Sequence, residues 1–146
     1  MAFDRQGHGL TFARILIGMF FFFEGIGKYR WFVDSSFLAR QLAGWLQTAP
    51  AGSATQWYLL HVCIPGTAVF ARLVPISEIG VGLALIGGLW TPLVALLAFA
   101  LALNFHVASG AIFKYSFLTN GYGLPVLGST LALAIGGVRL PWSLRA

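Results

Sequence analysis

Two of the four acidic residues in this chain, Glu24 and Glu78, stand inside long apolar stretches. A carboxylate surrounded by hydrocarbon must be protonated or paired with a cation. Lys28 follows Glu24 by four residues, the spacing at which helical side chains meet. Arg14 and Arg72 are further cations on the same two stretches. Because ionisable residues inside a membrane mark functional sites by default, these five predict a charged intramembrane pocket.

A quinone headgroup is one ligand that suits such a pocket, because its carbonyls need hydrogen-bond donors and its reduction takes up protons. Arg14, Lys28 and Arg72 would be the donors, and Glu24 and Glu78 the acceptors. The alternative is a closed network of ion pairs that only fixes the register of the helices. The residue types alone favour neither interpretation over the other.

His106, two residues after Asn104, is a further candidate ligand or proton relay. A lone histidine near the end of an apolar stretch is more often a hydrogen-bonded interfacial residue, so we do not expect it to ligate haem or a chlorin. The histidines have no HxxxH or HxxE spacing, so we expect no metal site. Cys63 is the single cysteine, which excludes an internal disulfide, and we expect no covalently bound cofactor.

The composition predicts an integral membrane protein of one domain, residues 1–146. Hydrophobic residues make up 58% of the chain and charged residues 9%, against about 25% in soluble domains. The net charge is +5, but the basic residues are scattered and flank apolar runs, as membrane anchors do. This pattern predicts contact with a lipid bilayer and argues against a nucleic-acid-binding surface.

Four apolar segments predict an all-α bundle of four transmembrane helices, at about residues 10–31, 67–89, 92–107 and 122–138. The first covers 22 residues, about 33 Å of helix, which is enough to cross a bilayer. Arg14, Gly18, Gly25 and Lys28 share one side of its helical wheel, so we expect this side to be buried. The two glycines on it would let another helix approach closely.

Residues 34–65, between the first two spans, are too polar to cross the membrane. Asp34 or Ser35 can cap a helix whose apolar residues recur at three- and four-residue steps, and Pro50 ends it. This pattern predicts an amphipathic helical loop that lies at the membrane surface or folds over the mouth of the bundle.

The chain resembles the DoxX/DoxD-like family of small four-helix membrane proteins. The first span carries R-x3-G-x6-G-x2-K from Arg14, the second carries E-x3-G-L-x-L-x-G from Glu78, and the amphipathic loop also matches. The resemblance extends from Ala13 to Ala134. One departure is the turn after the second span, where Thr91 and Pro92 stand and the family often has an arginine.

The resemblance implies a four-helix membrane bundle associated with redox complexes, among them a thiosulfate:quinone oxidoreductase. It implies Arg14, Lys28 and Glu78 as site residues, whereas Glu24 and Arg72 come from the charge pattern alone. We therefore expect a small integral subunit of a redox-linked, quinone-associated membrane complex. The chain carries no redox centre of its own and is not expected to catalyse electron transport without partner subunits.

Two other functions remain open from the sequence. The chain could be a non-catalytic accessory subunit of a larger respiratory or photosynthetic electron-transfer complex. A small proton-coupled transporter is disfavoured, because no internal repeat is visible. Basic residues are similarly frequent on both sides of the predicted spans, so the positive-inside rule does not decide the orientation. We expect a multi-pass protein of a bacterial or archaeal cell membrane, with cytoplasmic termini.

Overall fold

The computed structural model describes residues 5–144, and the elements of regular structure within that range are helices, as predicted. Its helices are α1 (Arg5–Gly27), α2 (Tyr29–Val33), α3 (Ser36–Thr48), α4 (Ala54–Tyr58), α5 (Thr67–Gly87), α6 (Thr91–Ala108) and α7 (Leu124–Gly136). A π-helical turn, Leu59–Cys63, continues α4, and two 3-10 turns, Ala111–Phe113 and Tyr115–Leu118, precede α7.

Three of these helices, α1, α5 and α6, are long and apolar enough to cross a membrane, with 23, 21 and 18 residues. Their outward faces carry large apolar side chains such as Leu16, Phe23, Leu83 and Leu96, which suits contact with lipid. The fourth apolar helix, α7, has only 13 residues. It is therefore about 20 Å long, shorter than the roughly 30 Å hydrocarbon core of a bilayer.

The closest helix pair is α1 with α5, which pack through glycines. A Cβ atom placed on Gly18 would lie 2.9 Å from the carbonyl oxygen of Gly82, and one on Gly25 would lie 2.9 Å from that of Pro75. The backbones therefore approach too closely for any side chain there. Arg14, Gly18 and Gly25 are all buried, so the predicted inner face of α1 is correct.

The segment between α1 and α5 folds over one end of the bundle. Within it, α3 buries Leu38 and Leu42 against Leu59, while Arg40 on the other side of the helix is exposed. An Asp34 carboxylate oxygen accepts a hydrogen bond from the backbone N–H of Ser36 at 2.9 Å, which stabilises the first turn of α3. The amphipathic helix predicted here is present.

Candidate functional site

Lys28 brings two carboxylates together where α1 meets α5. Its Nζ atom donates to Glu24 Oε2 at 3.0 Å and to the two carboxylate oxygens of Glu78 at 2.8 and 2.9 Å. Glu24 lies one helical turn before Lys28, as the four-residue spacing predicts. Glu78 comes from α5, one turn beyond the close contact between Gly25 and Pro75. We call Glu24, Lys28 and Glu78 the charge triad.

The charge triad is mostly shielded from solvent. The side chains of Lys28 and Glu78 are each 11% exposed and that of Glu24 is 37% exposed. Two carboxylates and one ammonium, all ionised, carry one net negative charge. The triad can therefore accept one proton, or one hydrogen-bond donor or cation from a ligand, without creating an excess of positive charge.

Two small chambers, each with a volume of about 60 Å³, meet at the triad. The first, which we call the loop chamber, lies under α3, and its lining includes Trp31, Trp45, Tyr58, Cys63, Glu78 and Asn104. The second, the bundle chamber, lies between the long helices, and its lining includes Glu24, Lys28, Glu78, His106 and Tyr122. Glu78 lines both chambers, so its carboxylate is available to a ligand from either side.

The loop chamber also holds neutral polar groups, of which the sequence pattern named Asn104 but did not relate Tyr58 or Cys63 to the site. The Tyr58 hydroxyl donates a hydrogen bond to Oδ1 of Asn104. Burial raises the pKa of the Cys63 thiol above its ordinary value, and a smaller effect of a hydrogen bond with Tyr58 opposes this. Burial also raises the pKa of Tyr58. Both groups therefore stay protonated at neutral pH, so the chamber places neutral polar groups beside the charge triad.

His106 is buried next to the triad, on the wall of the bundle chamber. Its Nε2 atom lies 2.7 Å from the carbonyl oxygen of Tyr122, so Nε2 carries the hydrogen and donates it. Nδ1 is buried and has no hydrogen-bond partner among the described residues. In the neutral ring Nδ1 is then a free acceptor, which suits a hydroxyl donor from a ligand or an ordered water.

The two predicted arginines lie away from the triad. Arg14 precedes Lys28 by 14 residues on the same face of α1, about 21 Å along the helix. Arg72 is exposed, and its guanidinium donates to the backbone oxygen of Ala68 at 2.6 Å. It precedes Glu78 by six residues, which places it about 120° around α5. The predicted cluster of five ionisable residues is therefore a cluster of three.

Arg14 instead makes separate polar contacts from the N-terminal half of α1. Its side chain is fully buried and donates to Ser143 Oγ at 2.6 Å and to the carbonyl oxygen of Trp142 at 3.0 Å. A Cβ atom on Gly88 would lie 1.8 Å from the guanidinium, so only glycine fits beneath it. Arg14 therefore ties residues 142–143 to the end of α5.

The sequence model of the DoxX family matches residues 9–110, more than two thirds of the chain. The chain belongs to the DoxX family. The match includes α1, α5 and α6, and with them every member of the charge triad. It ends before α7. No match was found among curated proteins or among solved structures.

In this DoxX protein, the sequence pattern identified the ionised residues together with Asn104 and His106, but it did not relate Tyr58 and Cys63 to them. Tyr58 and Cys63 lie in the loop, far along the chain from Glu24 and Lys28, and nothing in their spacing relates them to the triad. One signal was available. Asn104 is a polar side chain near the end of an apolar helix, and such residues usually face a polar partner rather than lipid.

Proposed function

We propose that this DoxX protein is a small integral membrane subunit of a quinone-associated redox complex, with four membrane-spanning helices and the charge triad as its headgroup site. One observation carries the proposal. The Lys28 ammonium is held between two carboxylates on the wall where two chambers meet. A cation and two carboxylates on the same wall support the binding of a headgroup that needs both a hydrogen-bond donor and a proton acceptor.

The residues around the triad suit a flat headgroup with two carbonyls. In the bundle chamber, a headgroup carbonyl that displaces one carboxylate oxygen can accept a hydrogen bond from Lys28. In the loop chamber, Trp31 and Trp45 offer aromatic surfaces on which a ring can stack. The chamber volume of about 60 Å³ is less than half of the roughly 150 Å³ of a cavity that binds benzene, so the lining side chains must move apart to admit a ring. Glu78 would hold or release the proton that accompanies the reduction of the headgroup.

The proposed role of this chain is to bind and orient the headgroup and to exchange protons with it. The electrons would come from a partner subunit or its cofactor. The outer surface of this chain suits assembly with other membrane chains. Large apolar side chains such as Phe12, Ile76 and Ile135 are more than half exposed on three different helices.

A second function, a non-catalytic accessory subunit, is favoured by the pairing within the triad. Lys28 already contacts both carboxylates, so the three charges can serve simply to fix α1 against α5. In that case the chambers bind no headgroup, and removing the chain from its complex leaves electron transfer intact.

Titration of the detergent-purified protein with a short-chain benzoquinone tests the proposal, because Trp31 and Trp45 line the chamber and their fluorescence reports its occupation. We expect saturable quenching in the wild type and a dissociation constant raised about tenfold or more in Glu78→Gln. Arg72→Gln is the matched control, since Arg72 is exposed and outside the triad. Its affinity should equal that of the wild type.

Quenching that does not saturate, or that Glu78→Gln leaves unchanged, would reject the headgroup site and favour the accessory subunit. Mass spectrometry of chains that co-purify from native membranes tests the partner separately. Recovery of a flavin, haem or iron–sulfur subunit supports the redox complex, and recovery of no redox subunit contradicts it.

A further inference from the structure

An apolar groove with a volume of about 560 Å³ lies between α5 and α6, outside the two chambers. These helices contact each other far less closely than α1 and α5 do, because the glycines that allow close approach face α1. Apolar residues form most of its lining, among them Gly80, Ala84, Leu89, Val94 and Leu97.

The two ends of the groove differ in polarity. Ser77 and Asn104 lie at one end, and Leu89 and Trp90 lie at the other. Ser77 and Leu89 are twelve residues apart on or just beyond α5, so the groove is about 18 Å long. A molecule that lies along it therefore meets a hydroxyl and an amide side chain at the end beside Glu78 and the indole of Trp90 at the other end.

The polar end of the groove lies next to the site of the charge triad. Leu101 and Asn104 line both the groove and the loop chamber, and Leu101 lines the bundle chamber as well. Ser77 immediately precedes Glu78. A single elongated molecule can thus place a polar head beside Glu78 and an apolar chain along α5 and α6.

We propose that the groove binds the prenyl chain of the same quinone whose headgroup binds at the charge triad; this inference rests on the proposed function. The groove would select for a long-chain quinone over a chain-free one, because apolar surface buried along its length adds to the affinity of the headgroup. Bulk lipid, by contrast, needs no connection to a polar chamber.

Gly80→Leu tests the groove without disturbing the triad. A Cβ atom on Gly80 meets nothing within 4 Å, so a leucine there can fill the groove without moving the backbone. Gly128→Leu on α7 is the matched control, because Gly128 is likewise exposed with nothing within 4 Å of an added Cβ, and it does not line the groove.

The measurement is the dissociation constant of a short-chain benzoquinone and of the same headgroup with several isoprene units, in one detergent. We expect the wild type and Gly128→Leu to bind the prenylated form about tenfold more tightly or better. Gly80→Leu should lose that preference and bind the short-chain form within about twofold of the wild type.

Tight binding of the short-chain form with no preference for the prenylated form would overturn the groove assignment and leave the headgroup site standing. The groove assignment would also fail if Gly80→Leu kept the preference for the prenylated form. It would fail as well if the groove retained a phospholipid and Gly80→Leu expelled that lipid without changing the affinity for either quinone. Failure of both quinones to bind would reject the headgroup site and the groove together.

Discussion

The Lys28 ammonium lies 2.8 Å from a carboxylate oxygen of Glu78, and this contact joins the end of α1 to the middle of α5. It lies one turn from the glycine contact between the same helices, where Gly25 touches the backbone of Pro75. The close glycine packing brings the two backbones together, and the ion pair fixes their register. The site is thus built beside the closest helix–helix contact in the described part of the bundle.

Lys28→Met should destabilise the protein more than the loss of either carboxylate. It leaves Glu78 buried without a cation, and breaking a buried pair in this way costs about 3–5 kcal/mol. Glu78→Gln should cost less, because Lys28 keeps Glu24 as a partner. Glu24→Gln should cost least, since that side chain is the most exposed of the three. Thermal unfolding midpoints in one detergent give the order.

The double variant Lys28→Met/Glu78→Leu is the control for this order. It removes the buried carboxylate along with its cation, so its unfolding midpoint should lie above that of Lys28→Met alone. An equal or lower midpoint would show that the cost comes from lost packing around Lys28 rather than from an unpaired charge.

Gly18→Ala should lower the stability of the bundle by about 1–3 kcal/mol, the usual cost of overpacking. The added Cβ would lie 2.9 Å from the backbone of Gly82, which cannot move without shifting α5. Gly128→Ala is the matched control, because an added Cβ there meets nothing within 4 Å. Its unfolding midpoint should equal or exceed that of the wild type, and equal losses in both variants would refute the close contact.

The helices and the inner face of α1 could be predicted from the sequence because hydropathy and helical periodicity are local properties. The same periodicity misplaced Arg14 in the pocket. A helical wheel gives the direction of a side chain but not its depth, so residues about 21 Å apart on one face look like neighbours. Arg72 shares α5 with Glu78 but lies about 120° around the helix from it, so it does not reach the pocket. The neutral groups Tyr58 and Asn104 meet only through tertiary contact, which no spacing reveals.

Arg14→Lys should loosen residues 141–144 while leaving the charge triad intact. A lysine cannot make the two directed hydrogen bonds that the guanidinium makes to Ser143 and Trp142. We expect faster amide hydrogen exchange at Leu144, whose N–H donates to the carbonyl oxygen of Gly87. The affinity for a short-chain benzoquinone should not change, and a loss of affinity similar to that of Glu78→Gln would show that Arg14 acts on the headgroup site.

Cys63 should react with iodoacetamide only at a higher pH than an ordinary thiol does. The thiolate is the reactive form, and burial raises the pKa of Cys63, so less thiolate is present at any given pH in the folded protein. The rate should rise with pH along a curve displaced to higher pH relative to the detergent-unfolded chain. Because the chain has a single cysteine, the unfolded protein is its own reference.

Tyr58→Phe separates the effect of the hydrogen bond from that of burial. The hydrogen bond with Tyr58 lowers the pKa of Cys63, whereas burial raises it. Removing the hydroxyl should displace the rate curve further towards high pH. A purely steric barrier would lower the rate equally at every pH and would leave the midpoint of the curve unchanged in both proteins. That outcome would mean that the loop chamber does not change the pKa of Cys63, and that the Tyr58 hydroxyl interacts with Asn104 alone.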